Sequence, residues 1–370
     1  MTAKAIHGNL RQNDCFTGIK ERGMNFQNFP RWMVLGALVF VLSSAASVQA
    51  EKPFDPPLAP IKVVLDTDIA EDIDDILVAA FAVSAVEFEV LAITVVDGGV
   101  EARSRVARKV AMLYGHPEIP VAQGYSRSMP LTDQRYPGHT GGVRYGEVAT
   151  DELELPPGSA LKADQLIAKL ADEHPGEVHL LTVGSMSNVG HLLVRYPESA
   201  RKLKSIITNG GRFVSKDDQS IGWNLRYDPI AAAIAQRSEV PWILLSETTS
   251  RYASPRREDV EKLEEAGLPT TELLSDSIRW WRTNKTDATS LPHVSDLNVF
   301  AFLLGMVEVK KGNMYLEIGP KGKLPGFRIE EDAEGKILYG NMIPQQKAEA
   351  LREYMMECLL KVPERHRAAR

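Results

Sequence analysis

The sequence predicts an α/β protein built on a mostly parallel sheet with helices on both faces. Short apolar runs alternate with stretches of helical spacing along most of the chain. These runs are apolar nearly throughout, as strands buried on both faces are. The first of them ends in an aspartate-rich loop, at the carboxyl edge where open α/β sheets bind ligands.

Residues 1–50 read as a leader with a signal peptide, leaving 51–370 as a single α/β domain. Arg31 precedes an apolar run at 32–42, and SSAASVQA ends with Val48 and Ala50 at cleavage positions. Met24 is an alternative start, since the polar 1–23 stretch makes a long preceding region. The apolar core is short for a membrane span. Export to the periplasm or exterior is therefore expected, with no stable membrane association once the leader is cleaved; an uncleaved anchor is the alternative. Five of the 43 basic and two of the 49 acidic residues lie before Glu51, so the rest of the chain carries about −9. That charge argues against a nucleic-acid partner. Cys15 leaves with the leader, and Cys358 alone cannot form an intrachain disulfide.

The elements follow in order. Pro53, Pro56, Pro57 and Pro60 bound a strand at 61–65, and a helix runs from about 73. A strand at 90–96 precedes a helix at 101–114, with Val106, Val110 and Leu113 on one face. Its basic 103–109 segment reads as a solvated face. Residues 125–158, including PGHTGG at 137–142, form a long loop of the kind that carries function. Then come a helix at 161–172, a strand at 178–183, a helix at 188–196, and a strand at 205–208 ending in Asn209-Gly210-Gly211. Asp228 and Pro229 cap and open a helix to 237, and 242–245 is a strand. Helices at 255–265, 271–282 and 296–306, a hairpin at 314–329 and a helix at 345–360 complete the chain.

Residues 63–75, VVLDTDIAEDIDD, crowd Asp66, Asp68, Glu71, Asp72, Asp74 and Asp75 between the first strand and its helix. Such carboxylates repel one another and take up protons unless a cation compensates. A helix N-terminus offsets little, whereas a hard divalent cation prefers oxygen ligands and offsets far more.

DTD and DD in this loop, LTVGSMSN at 181–188, NGG at 209–211, NLRYDP at 224–229 and HVSDLNVFAFL at 293–303 fall in one order. Together they resemble the inosine-uridine-type nucleoside hydrolase family. The resemblance spans about residues 61–304. It implies a Rossmann-like α/β fold of the nucleoside hydrolase type, one Ca2+ ion, and hydrolysis of the N-glycosidic bond of a small-molecule ribosyl substrate. It also implies a homo-oligomer, a dimer or tetramer. By position, Asp68, Asp75, Asp296 and the Ser187 carbonyl would hold the metal, Asp296 also facing the substrate. Asp68 would be the general base, and Asp74 and Asn224 would bind the sugar. Asp66 would orient its neighbours.

Several positions depart from the family pattern. The loop from Asp66 to Asp75 is two residues longer than the commonest form, with Ile69-Ala70 in place of Pro-Gly. Gly98-Gly99 replaces a Gly-Asn pair, and Gly222 replaces a glutamate that grips the 5′-hydroxyl. Ser295 stands where some members carry a histidine leaving-group acid; His293 substitutes for it or is a loop histidine without a role. His139 and Trp223 are substrate-contact candidates, with a surface loop and sheet-edge packing as the alternatives. In Trp280-Trp281 one ring reads as core and the other as a stacking surface. Arg212 recognises an anionic group or pairs with Asp217 or Asp218. Two other functions compete: a non-catalytic exported calcium- and sugar-binding protein, and a haloacid-dehalogenase-type phosphatase with Asp66 as nucleophile and Lys216, Asp217 and Asp218 in support.

Overall fold

Strand β1 (Ile61–Thr67) is buried from Val63 onward, as its apolar run requires. The computed structural model describes residues 52, 54–70, 72–129, 154–213, 215–248, 251–284, 286–317, 326–340 and 343–361. The leader, Glu71 and His139 lie outside the described residues, as do 130–153 of the long loop. From β1, helix α1 (Asp74–Ser84) leads to β2 (Phe88–Val95) and α2 (Val100–Leu113) to β3 (Val121–Gln123). Helix α3 (Ala163–Glu173) precedes β4 (His179–Thr182), and α4 (Ser187–Arg195) with the short α5 (Pro197–Ala200) precedes β5 (Ser205–Asn209). A two-stranded ribbon, β6 (Arg212–Phe213) and β7 (Gln219–Ser220), is followed by α6 (Trp223–Tyr227), α7 (Pro229–Arg237) and β8 (Trp242–Leu245). Helices α8 (Arg257–Glu265), α9 (Pro269–Asn284) and α10 (Leu297–Leu303) come next. The hairpin of β9 (Val309–Glu317) and β10 (Gly326–Glu331), then β11 (Ile337–Gly340) and α11 (Gln345–Leu359), complete the described chain.

The main sheet has the order β10-β9-β11-β8-β5-β4-β1-β2-β3. The strands from β11 to β3 are parallel, and β9 runs antiparallel to both of its neighbours. After β1 the chain first builds outward through β2 and β3, then crosses back to lay β4 against the other side of β1. The carboxyl ends of β1 and β4 therefore flank the switch point, where open α/β sheets bind their ligands. Alternate residues of each strand feed two cores. Val63 and Leu65 pack with α1, α2 and α8 to α11, while Val64, Ile206 and Leu244 pack with α3, α4 and α7.

The expected elements are present with ends shifted by a few residues. Strands β3 and β11 escape the sequence reading, being three and four residues long. The reading of 103–109 as a solvated face is corrected: Arg103 is 0% and Lys109 6% exposed. Arg103 reaches the loops at the carboxyl edge of the sheet, where backbone carbonyls need donors.

Candidate active site

The acidic loop is held by its own backbone and by one arginine. Thr67 Oγ1 donates to Asp75 Oδ1 and accepts the Ile69 N–H at 3.0 Å, closing a tight turn directly after β1. Ala70 takes a left-handed conformation at φ 75°, a strained state for a residue with a side chain. Ile69 and Ala70 are fully buried and pack into the core, which anchors this longer loop. The guanidinium of Arg103 donates to the carbonyls of Asp68, Ile69 (2.9 Å) and Asp97 (2.8 Å). It thereby joins the loop after β1 to the turn after β2. Gly184, after β4, lies so close that an added Cβ would sit 2.7 Å from the Asp68 nitrogen.

This frame brings carboxylates together. One oxygen each from Asp74, Asp75 and Asp296 lies within 4.8 Å of the others. Asp74 and Asp75 open α1, and Asp296 directly precedes α10. Burial pushes the Asp75 carboxyl well up, and the charges of Asp68 and Asp74 push the same way, against Thr67 and Arg103. Asp296 is likewise raised well above the usual range by burial, then by Asp74 and Asp75, with Asp68 adding to them. Asp74 is raised by burial and by Asp72, and eased by the Ser295 hydrogen bond and by His293. Asp68 is 4% exposed and acts on Asp75 and Asp296 as a neighbouring charge. Oxygen donors that converge at this charge density fit a hard divalent cation.

Neutral donors fix these acids. Asn209, at the end of β5, donates to Asp296 Oδ1 at 2.5 Å and to Ser295 Oγ at 3.3 Å. Its own carbonyl group, Oδ1, accepts from Asn298 at 2.7 Å. Ser295 donates to Asp74 Oδ2 at 2.7 Å, so the residue in the family's histidine position is a brace for Asp74. Asp66 Oδ1 accepts from Thr94 at 2.5 Å and from Asn188 at 2.7 Å, which ties β1 to β2 and α4. Burial pushes its carboxyl up to about 7.

The other expected residues fall around this centre. Ser187 is buried at the start of α4, its hydroxyl donating to Asp228 at 2.8 Å. Asp228 also caps α7 through the Ala231 N–H. Asn224 donates its amide to the carbonyls of Val183 (2.6 Å) and Asn209 (2.9 Å), between the ends of β4 and β5. Trp223 is half-buried, with the Arg226 guanidinium 4.6 Å from its ring centroid. His293 is exposed and close enough to Asp74 to ease its charge. Trp281 is core, and its indole Nε1 donates to Asp72 of the acidic loop at 2.9 Å. Arg212 pairs with Asp218 at 3.0 Å on the exposed ribbon, and Lys216 and Asp217 are exposed there too, so a phosphatase arrangement with Asp66 does not assemble. Sequence reasoning missed Arg103, Asn298 and Ser295 as a brace. Asn209 was legible only as a loop tip, through the NGG that ends an apolar run.

A family profile described as inosine-uridine preferring nucleoside hydrolase matches residues 63–362. Uridine nucleosidase 1 of Arabidopsis thaliana is 27% identical over 229 residues, covering 60% of this chain and 66% of that protein. The chain thus spans just under two thirds of the length of this plant relative. The pyrimidine-specific ribonucleoside hydrolase RihA of Citrobacter koseri is 28% identical over 260 residues, 66% of this chain and 79% of that one. The solved purine-preferring ribonucleoside hydrolase from Gardnerella vaginalis shares the fold, with a TM-score of 0.64 at 19% identity, covering 81% and 99% of the two chains.

Proposed function

Because the chain belongs to the inosine-uridine preferring nucleoside hydrolase family, we propose that it hydrolyses the N-glycosidic bond of a ribonucleoside or related ribosyl compound, using calcium. The observation that carries this reading is the convergence of Asp74, Asp75 and Asp296 beside Asp68 at the switch point of the sheet. Asp68, Asp75, Asp296 and the Ser187 carbonyl are the residues that would hold the ion. A bound calcium ion would supply the positive charge that orients sugar hydroxyls and lowers the pKa of a water.

The chain's own groups then divide the work. Asp68 accepts a proton from the attacking water as its oxygen bonds to the anomeric carbon. The C–N electron pair leaves with the base, and His293, at the exposed rim, gives that base its proton. The oxocarbenium-like sugar formed on the way is stabilised by the surrounding carboxylates, which are already fixed in place. Asp74, with Oδ2 held by Ser295, accepts from a ribose hydroxyl through its other oxygen. Asn224 has committed its amide N–H groups to two carbonyls, so its Oδ1 accepts from the sugar. Trp223 completes the substrate contacts, and the leader carries the enzyme out of the cytoplasm.

The deciding experiment is a reducing-sugar assay for ribose released from a panel of nucleosides and other ribosides, with calcium and with chelator. Calcium-dependent release from one member is the expected result and identifies the leaving group. No release from any member, with calcium still raising the melting temperature, would leave a binding protein on this scaffold.

A further inference from the structure

Asn209 ends β5, and two residues of one turn grip its side chain: Asp296, directly before α10, and Asn298, inside it. All three are buried. The hydrogens along this path can be counted. Asn298 Nδ2 carries two, given to Asn209 Oδ1 at 2.7 Å and to the Ser246 carbonyl at 3.0 Å. Asn209 Nδ2 carries two, given to Asp296 Oδ1 at 2.5 Å and to Ser295 Oγ at 3.3 Å. The hydroxyl hydrogen of Ser295 goes on to Asp74 Oδ2 at 2.7 Å. Every donor on the path thus leads toward the acidic centre, and neither amide can turn over. A reversed Asn209 would set its oxygen against the Asp296 carboxylate. A reversed Asn298 would set its oxygen against two others.

The path forks at Asn209. One branch ends on Asp296, an acid assigned above to the cation, and the other on Asp74, the acid assigned to the sugar. Each branch occupies one carboxylate oxygen and so fixes the direction in which the second is presented. Neither asparagine is charged or titrates, so what they contribute is orientation. Hydrogen bonds to a charged acceptor are among the strong ones, and partners that orient a metal ligand change metal affinity by about 10- to 100-fold.

We infer that Asn209 is a positioning residue that, oriented by Asn298, joins the cation and sugar sites: it holds Asp296 directly and Asp74 through Ser295. The inference rests on the proposed reading in which Asp296 ligates calcium and Asp74 meets a ribose hydroxyl. It deepens that reading by giving the two sites one shared support, built from β5 and α10.

The test measures binding, so it does not depend on turnover. Calcium chloride is titrated calorimetrically into the chelator-stripped full chain, and methyl β-D-ribofuranoside into the calcium-saturated chain. Asn209→Leu, of similar volume, should weaken calcium binding by about 10- to 100-fold. Asn298→Leu touches neither acid, yet should weaken calcium severalfold because it frees Asn209 to turn. Ser295→Ala should leave calcium near wild type and weaken the riboside severalfold, and Ser295→Thr, which keeps the hydroxyl, should restore it. A packing role alone would lower the melting temperature in chelator with calcium affinity unchanged. Wild-type calcium affinity in either amide variant therefore overturns the inference, as does wild-type riboside affinity in Ser295→Ala. Should the buried amides not tolerate replacement, the Ser295 pair decides by itself. Failure of the wild type to bind calcium or the riboside rejects the underlying reading and the role of Asn209 with it. Ribose release decides hydrolysis separately: the expected binding pattern without release keeps Asn209 and rejects the hydrolase, while release without the pattern does the reverse.

Discussion

Arg103 shows how one residue sets the geometry of a loop it does not belong to. Its guanidinium serves carbonyls of Asp68, Ile69 and Asp97, and it is fully buried. Arg103→Met should leave those carbonyls unpaired at a cost of about 1–3 kcal/mol, read as a lowered melting temperature together with weaker calcium binding. Asp68→Asn separates chemistry from binding. It should lower kcat by about 10²-fold or more, the scale of a lost general base, while sugar binding by calorimetry largely survives; wild-type turnover would reject the assignment. The acidic loop was legible because its carboxylates are adjacent in sequence. Arg103 was not, because helical periodicity assigns charged positions to solvent and says nothing of buried carbonyls arriving from another loop.

At the scale of elements, the strands matter through where they end. Gly184 after β4 touches the backbone of the turn after β1, so Gly184→Ala must displace Asp68 or strain the turn. Overpacking of this kind costs about 1–3 kcal/mol, and a parallel loss of kcat would place the displacement at Asp68. The opposite end of β4 provides a pH effect away from the site. His179 is 8% exposed and meets Ser205 at 2.7 Å, and burial lowers its pKa to about 4. The unfolded chain therefore takes the proton first. This contribution to stability is complete above the unfolded pKa near 6.5 and is lost as pH falls toward 4. Between pH 6.5 and 5 it amounts to about 2 kcal/mol, and His179→Asn should flatten that part of the stability profile in chemical denaturation. Strand β4 was readable from its apolar run. The partners of its ends were not, since β4 meets β1 only through the crossover that creates the switch point.

At the scale of the molecule, the acidic centre opposes folding until a cation balances it. Asp75 and Asp296 are raised by burial and by each other's neighbourhood, so the folded chain alone holds charge it would rather release. Calcium should raise the melting temperature in a concentration-dependent way, and excess chelator should reverse it, because a ligand bound only to the folded state stabilises it. An unchanged midpoint in chelator would reject the site. The parallel sheet and its order of helices were legible from alternation alone. The asparagine braces were not, for they depend on β5 and β8 lying side by side although the ribbon, α6 and α7 separate them in sequence.

The link from Trp281 to Asp72 has an optical consequence. An indole whose N–H rests on a carboxylate of the acidic loop emits according to that carboxylate's charge and position. Ion arriving at the loop should therefore change the fluorescence of the untagged protein, and Trp281→Phe should reduce that change. The molecule carries its own dye, one helix away from the chemistry it would report.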